Sequence, residues 1–281
     1  MIPRILLVLG AALVLLAAPL NAHAITFGQP DGDDHPQVVS LLVFQDGLPE
    51  FCSGTLLRDD LVLTAGHCTE SPSGRPNDLT LVSNDEAGLA GLDQAPDPIA
   101  ELLSRGWVFG NAVAHPQYDF ANFTDPTDTY DIGVVQLAAP LDTGGVYGTL
   151  PDPGFLDTKD RGAIHNRQVR VVGYGLQDRK PPTWDMRRWN GTSSILLVGE
   201  RKLGSDQLVR ISNSPGQGMG PGGTCLGDSG GPAFWIDPET GTETDTVVAL
   251  ASFTKTGRCQ GWTTSFRTDS AAALDFINQF L

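Results

Sequence analysis

Basic residues are scarce in this chain: 18 Lys and Arg stand against 33 Asp and Glu in 281 residues, a formal charge of −15. So acidic a balance argues against nucleic acid and anionic membrane as partners and favours a soluble chain. Long apolar runs are missing after the first two dozen residues, and a membrane-spanning helix needs roughly 18 apolar residues in succession, so no later segment reads as one. Cysteine is limited to Cys52, Cys68, Cys225 and Cys259. These lack the paired C-x-x-C spacing of a zinc site and sit beside few free histidines, so no metal and no cofactor is expected. Helical periodicity is absent until the last dozen residues, and no internal repeat appears.

What is present starts with a leader. Arg4, an apolar stretch from Ile5 to Ala18, Pro19 and the tripeptide Ala22-His23-Ala24 read as a secretory signal peptide over 1–24, cleaved after Ala24. The expected location is therefore secreted and extracellular, where disulfides persist; spacing alone leaves three pairings of the four cysteines open. Short β-branched runs recur between glycines and prolines: Val38 to Phe44, Leu61 to Thr64, Val108 to Ala114, Ile132 to Leu137, Gln168 to Gly173, Ile195 to Val198 and Val247 to Ser252. This is an all-β pattern, equally compatible with a sandwich or a barrel. At the C-terminus Ala272, Ala273, Phe276, Ile277 and Phe280 take helical spacing behind the candidate caps Asp269 and Ser270. Glu70 to Pro98 and Gln177 to Trp189 read as surface insertions.

Three motifs carry chemistry. Thr224-Cys225-Leu226-Gly227-Asp228-Ser229-Gly230-Gly231-Pro232 sets one serine between glycines beside an acid and a cysteine. A serine hydroxyl attacks a carbonyl usefully only when a base takes its proton and nearby donors hold the oxyanion. Thr64-Ala65-Gly66-His67-Cys68 offers a base, and Tyr130-Asp131-Ile132-Gly133 opens an apolar run with an acid that could orient it. Taken singly, His67 could be an ordinary half-buried histidine, Asp131 a strand-end cap and Ser229 a turn residue. Asp125 and Asp128 compete with Asp131 for the acid role, whereas His35, His115 and His165 lack comparable surroundings and read as structural or surface residues.

In the order His, Asp, Ser, these motifs resemble the trypsin/chymotrypsin family of serine endopeptidases, its secreted microbial members most of all. The resemblance runs from Ile25-Thr26-Phe27-Gly28 to the C-terminal helix. It implies two six-stranded antiparallel β-barrels, 25–150 and 151–281, with a cleft between them and a terminal helix outside. It also implies His67 as general base, Asp131 as its orienting group, Ser229 as nucleophile, and the backbone N–H groups of Gly227 and Ser229 as the oxyanion hole. The pairing it selects is Cys52 with Cys68 and Cys225 with Cys259. Polypeptide substrates and protein protease inhibitors are the implied partners, and a monomer is expected.

Asp228 would be a buried carboxylate, which must be paired or neutralised. In the family its partner is a newly freed α-amino group, and here Ile25 directly follows the signal cleavage site, so the signal peptidase itself could expose the activating ammonium. For specificity, Gly223 stands where trypsin-like members carry Asp, with Thr224 beside it, so no carboxylate awaits Lys or Arg. Ser252-Phe253-Thr254 corresponds to the substrate-binding strand; Thr254 departs from the usual Gly and narrows the pocket toward small or apolar P1 residues. A hydroxyl-lined pocket for acidic P1 residues is the competing reading. A protease-like binding protein with an occluded pocket and an esterase using the same triad remain alternatives. Asn122-Phe123-Thr124 and Asn190-Gly191-Thr192 match the glycosylation pattern. Asp78, Asp85, Glu86 and Asp93 read as a solvated acidic loop ahead of a calcium site.

Overall fold

The structure, a computed structural model, describes residues 25–122, 129–157, 164–179, 182–199, 203–214, 222–254 and 259–281. The leader expected over 1–24, the candidate acids Asp125 and Asp128, and Phe123-Thr124 of one glycosylation motif lie outside them.

Strand β1 (Gln29–Pro30) is followed by β2 (Val38–Gln45), β3 (Leu48–Arg58), β4 (Leu61–Thr64), β5 (Leu79–Ser83), β6 (Val108–Ala114) and β7 (Gly133–Leu137). Strands β2 to β7 close into one antiparallel barrel in the order β2-β3-β4-β7-β6-β5. Its first hairpin is set by Asp46 and Gly47, both at positive φ (52° and 80°), which is the backbone a two-residue turn of matching twist demands. Seven of the eight β2 residues are buried, so the strand is apolar on both faces except at Ser40 and Gln45 rather than an alternation.

The second half contains β8 (Gln168–Gly173), the ribbon β9 (Asp178–Arg179) and β10 (Pro182–Thr183), then β11 (Trp189–Val198), β12 (Leu208–Ser212), β13 (Pro232–Ile236), β14 (Glu243–Thr254) and β15 (Trp262–Arg267). Six of these form the order β11-β12-β15-β14-β13-β8, closed by pairing of β11 with β8. The two closed six-stranded antiparallel barrels are thus present. β1, which precedes the first barrel in sequence, is attached to the second: Gln29 pairs with Asn190 and Pro30 with Trp189.

Helix α1 (Pro98–Ser104) begins at an Asp97 cap, whose Oδ1 accepts from the Ala100 N–H, with Pro98 in its first turn. It was not legible by periodicity because seven residues give fewer than two full turns. Helix α2 (Ala271–Ile277) is the expected terminal helix. Ser270 is its cap, accepting from Ala273 N–H at 3.2 Å, while Asp269 accepts from the Arg267 guanidinium and from Leu156 N–H. Phe276 and Ile277 of α2 pack in one apolar cluster with Leu61, Leu63 and Val134 of the first barrel and Phe234 and Phe266 of the second. Each such fully buried side chain contributes about 1.5–3 kcal/mol of transfer free energy.

Two expectations require correction. The segment 70–98 contains the barrel strand β5, whose Thr80 to Ser83 are buried, and 177–189 ends in the start of β11 with Arg188 only 1% exposed. Proline, glycine and charge around them masked short runs that tertiary packing makes into structure.

Candidate active site

His67 occupies a single 3₁₀ turn, Gly66–Cys68, directly after β4, and the Cys52–Cys68 disulfide ties that turn to β3. Asp131 lies just ahead of β7 and is fully buried. β4 and β7 are neighbours with Thr64 opposite Gly133, so the two residues meet at the same end of the barrel. The Asp131 carboxylate accepts from the His67 backbone N–H at 2.8 Å and faces His67 Nδ1 at 2.9 and 3.0 Å. It also accepts from the Ser252 hydroxyl, which reaches across from the second barrel.

These contacts fix the electrostatics. Burial pushes the His67 imidazole down, but the charge and hydrogen bond of Asp131 outweigh it, with a smaller pull from Glu50, and the pKa rises above its ordinary value. Burial pushes Asp131 up, but His67 and the Ser252 hydroxyl hold it below the usual carboxylate range. His67 itself is half-buried, its side chain 15% exposed, so its ring keeps contact with solvent.

Ser229 sits in the tight turn between Cys225 and Gly231. Gly227 and Gly230 take φ of 95° and 75°, values that L side chains rarely adopt. A Cβ on Gly230 would stand 2.0 Å from Thr64 Oγ1 and 2.7 Å from Ala65 N, so this turn packs directly on the segment leading to His67. The Ser229 carbonyl accepts from Ser53 N–H at 2.8 Å and lies 3.7 Å from the Cys68 sulfur; the Gly227 carbonyl accepts from Ser53 Oγ at 2.9 Å. The second disulfide, Cys225–Cys259, anchors the turn at its other end. Cys52, His67 and Cys68 bring potential metal-ligand atoms together, but both sulfurs are spent in a disulfide and offer no thiolate.

Asp228 is fully buried, and both its oxygens accept backbone N–H groups, from Cys225 and Gly175, each at 2.8 Å. No cation pairs with it among the described residues. Burial dominates over those two hydrogen bonds and pushes it up to about 7. Ile25 is fully buried among Val169, Val171 and Ile195 of the second barrel, and Thr26 forms an antiparallel bridge with Gly223.

Gly223 faces Asn213, whose Cα would stand 2.5 Å from a Cβ built there, so no larger residue fits. Thr224 Oγ1 lies 2.6 Å from Thr263 Oγ1, and the Asn213 amide donates to Thr263 Oγ1 and to the Thr224 carbonyl. Thr254 is paired directly opposite Thr263 on β14 and β15, which sets both side chains on one face of the sheet. Ser252 falls at a register shift between Ala251 and Phe253, and its hydroxyl is committed to Asp131.

Sequence reading missed Asn213, Thr263, Ser53 and the pair Gly173 and Gly175. A Cβ on Gly173 would come within 2.3 Å of Asp228 Oδ1; two glycines spaced by one residue at a strand end were the available signal. His35 is structural, as read, but buried between two carboxylates that the sequence reading did not foresee. His115 does stack on Tyr130 as a structural residue, and His165 bonds the Leu196 carbonyl. Asn190 of the second glycosylation motif is buried and donates to Asp31, so it is no surface acceptor. The acids Asp78, Asp85, Glu86 and Asp93 each hold a separate partner and do not converge.

A family model described as Trypsin matches residues 27–277. The cercarial protease of Schistosoma mansoni is 28% identical over 212 residues, covering 70% of each chain. A trypsin of Saccharopolyspora erythraea is 26% identical over 208 residues, covering 71% of this chain and 76% of the other. CLIP domain-containing serine protease B15 of Anopheles gambiae is 27% identical over 190 residues, 64% of this chain; the chain spans about half of that relative's length, 49%. Relatives from such different sources do not single out the microbial members. Among solved structures, an HL collagenase superposes with a TM-score of 0.64 at 18% identity, covering 92% of this chain and 96% of the other.

Proposed function

The chain belongs to the trypsin family of serine endopeptidases, and we propose that it is secreted and cleaves peptide bonds through an acyl-enzyme at Ser229, after small or apolar P1 residues. The observation that carries this reading is the His67–Asp131 pair beside the Gly227–Gly230 turn. In the proposed reaction His67 takes the Ser229 hydroxyl proton as oxygen bonds to the scissile carbonyl carbon. The Gly227 and Ser229 N–H groups then hold the oxyanion, and His67 returns the proton to the leaving amine. Water repeats the cycle to release the acid. No described helix is long and apolar enough to cross a membrane, which accords with export after removal of 1–24.

A fluorophosphonate probe followed by casein digestion tests the class. Labelling at Ser229 with proteolysis is expected; an unlabelled protein would be a binding relative, and a labelled one that leaves protein substrates intact would be an esterase.

The pocket reading rests on neutral, mutually engaged groups. Thr224, Thr263 and Asn213 are hydrogen-bonded to one another, so a P1 carboxylate would have to break those bonds, and these neutral groups offer a P1 cation no counter-charge among the described residues. Thr254→Gly should therefore raise kcat/KM for Phe or Leu at P1 about 10-fold or more relative to Ala, within the range that one or two methylenes command. A cleavage profile dominated by Arg or Lys would overturn it.

Activation follows from Asp228. With only N–H partners this carboxyl gives up its charge below about pH 7, and an ammonium at Ile25 would restore it and fix the oxyanion turn. N-terminal sequencing of the secreted protein should read Ile25-Thr26-Phe27. A form retaining Ala24 should lose about 10²–10³ in kcat/KM, comparable to loss of an oxyanion donor. A fully active species with residues before Ile25 would refute direct activation.

A further inference from the structure

A second histidine, remote in role from His67, lies between two carboxylates. His35 Nδ1 lies 2.5 Å from Asp31 Oδ1 and its Nε2 lies 2.5 Å from Glu243 Oε1. A neutral imidazole carries one N–H; with a carboxylate oxygen on each nitrogen, only the doubly protonated ring satisfies both contacts. Asp31, which also receives Arg188 and Asn190, and Glu243, which also receives Arg170, are held below the usual carboxylate range despite burial, so both are ionised and the ring is the cation.

The network spans three parts of the chain. Asp31 and His35 belong to the segment between β1 and β2, Glu243 begins β14, and Arg170 of β8 donates to Glu243 Oε2 at 2.8 Å. Asp31 also receives Arg188 Nε at 2.7 Å and Asn190 Nδ2 at 2.8 Å. The buried Arg188 guanidinium goes on to the carbonyls of Val38 and Asn84 in the first half and to Tyr174 Oη. Asp34 lines the same cavity as His35, Gln37 donates to Asp245 of β14, and the ring stacks on Phe234 of β13 at 5.7 Å. Among the described residues, the charged groups around the ring are thus Asp31 and Glu243 against it, Arg188 and Arg170 on those carboxylates, and Asp34 across the adjoining cavity. A cavity of about 290 Å³ beside it gives water access for proton exchange.

We propose that His35 is a cationic latch which fastens the segment between β1 and β2 to the second barrel, and that alkaline solution opens it by removing one ring proton to water. The freed nitrogen lone pair then faces a carboxylate oxygen, and one of the two bonds becomes repulsive. The segment that seats Ile25 and Thr26 on the second barrel begins six residues before Asp31, so release of the latch loosens that seat. This does not rest on the catalytic reading.

Burial pushes the imidazole down, but the hydrogen bonds and charges of Asp31 and Glu243 outweigh it and carry it to about 9. The unfolded histidine titrates near 6.5, so the latch contributes its full stability below that pH and loses it as pH rises through 9. The secreted protein carrying Ser229→Ala, which cannot digest itself, allows a clean measurement. Its Tm should fall by about 5 °C more between pH 6.5 and 9.5 than that of the same protein with His35→Gln added. Amide exchange over 29–37, corrected for its intrinsic pH dependence, should accelerate about 10-fold over the same range only with His35 present. Parallel Tm curves, or equal exchange in both proteins, would overturn the proposal. Should His35→Gln not fold, Glu243→Gln serves instead: with one carboxylate gone the loss must begin at lower pH, and an unchanged onset would equally overturn it.

Discussion

Ser229→Ala should lower kcat/KM by about 10⁶ while leaving Tm within about 2 °C of the parent. The two halves of this expectation come from different features. The contacts that place Ser229 are made by its backbone: its carbonyl accepts from Ser53 N–H and abuts the Cys68 sulfur. The turn is shaped by the positive φ of Gly227 and Gly230 and held by the Cys225–Cys259 bridge, none of which the substitution touches. The hydroxyl of this half-buried residue is thus dispensable to the fold and indispensable to the proposed acylation. Circular dichroism and single-turnover kinetics on the purified variant measure both. Retention of even a hundredth of the parent rate would remove Ser229 from the mechanism.

Asp131→Asn is the second large effect, a loss of about 10⁴ in kcat/KM, the magnitude this substitution has in chymotrypsin-like triads. Here the carboxylate accepts from the His67 backbone N–H, from Nδ1–H and from the Ser252 hydroxyl. An amide has only one acceptor oxygen, and turning its NH₂ toward Nδ1 stabilises the tautomer whose Nε2 carries the proton and cannot act as base. The pH profile separates this role from a merely structural one. The parent's acid limb should lie above pH 6.5, because Asp131 raises His67, and activity is lost as pH falls through that value. Without the charge, the limb should move to lower pH even as the plateau drops. An acid limb that stays in place would deny Asp131 its electrostatic part.

Much of this was legible because the informative residues are short, local and chemically constrained. Gly-Asp-Ser-Gly-Gly around Ser229 specifies a turn few sequences need, and the β-branched runs at Val38, Val108 and Gln168 lie in strands with nearly the expected bounds. The missed parts depend on contacts between residues far apart in the chain. β5 hid among Pro and Gly, and the strand pairing that buries it comes from β2 and β6. Thr263 and Asn213 carry no local signal; they matter only because β12 and β15 bring them under Thr224. His35 looked ordinary because its partner Glu243 is 208 residues away.

The bridge between Thr26 and Gly223 joins positions 197 apart in sequence. Closing so large a loop must await both ends, and contacts of high sequence separation form slowly. The leading residues therefore remain undocked until β11 and the segment that holds Gly223 are in place. Whatever delays that closure also delays the seating of Ile25, so these leading residues are among the last to find their place.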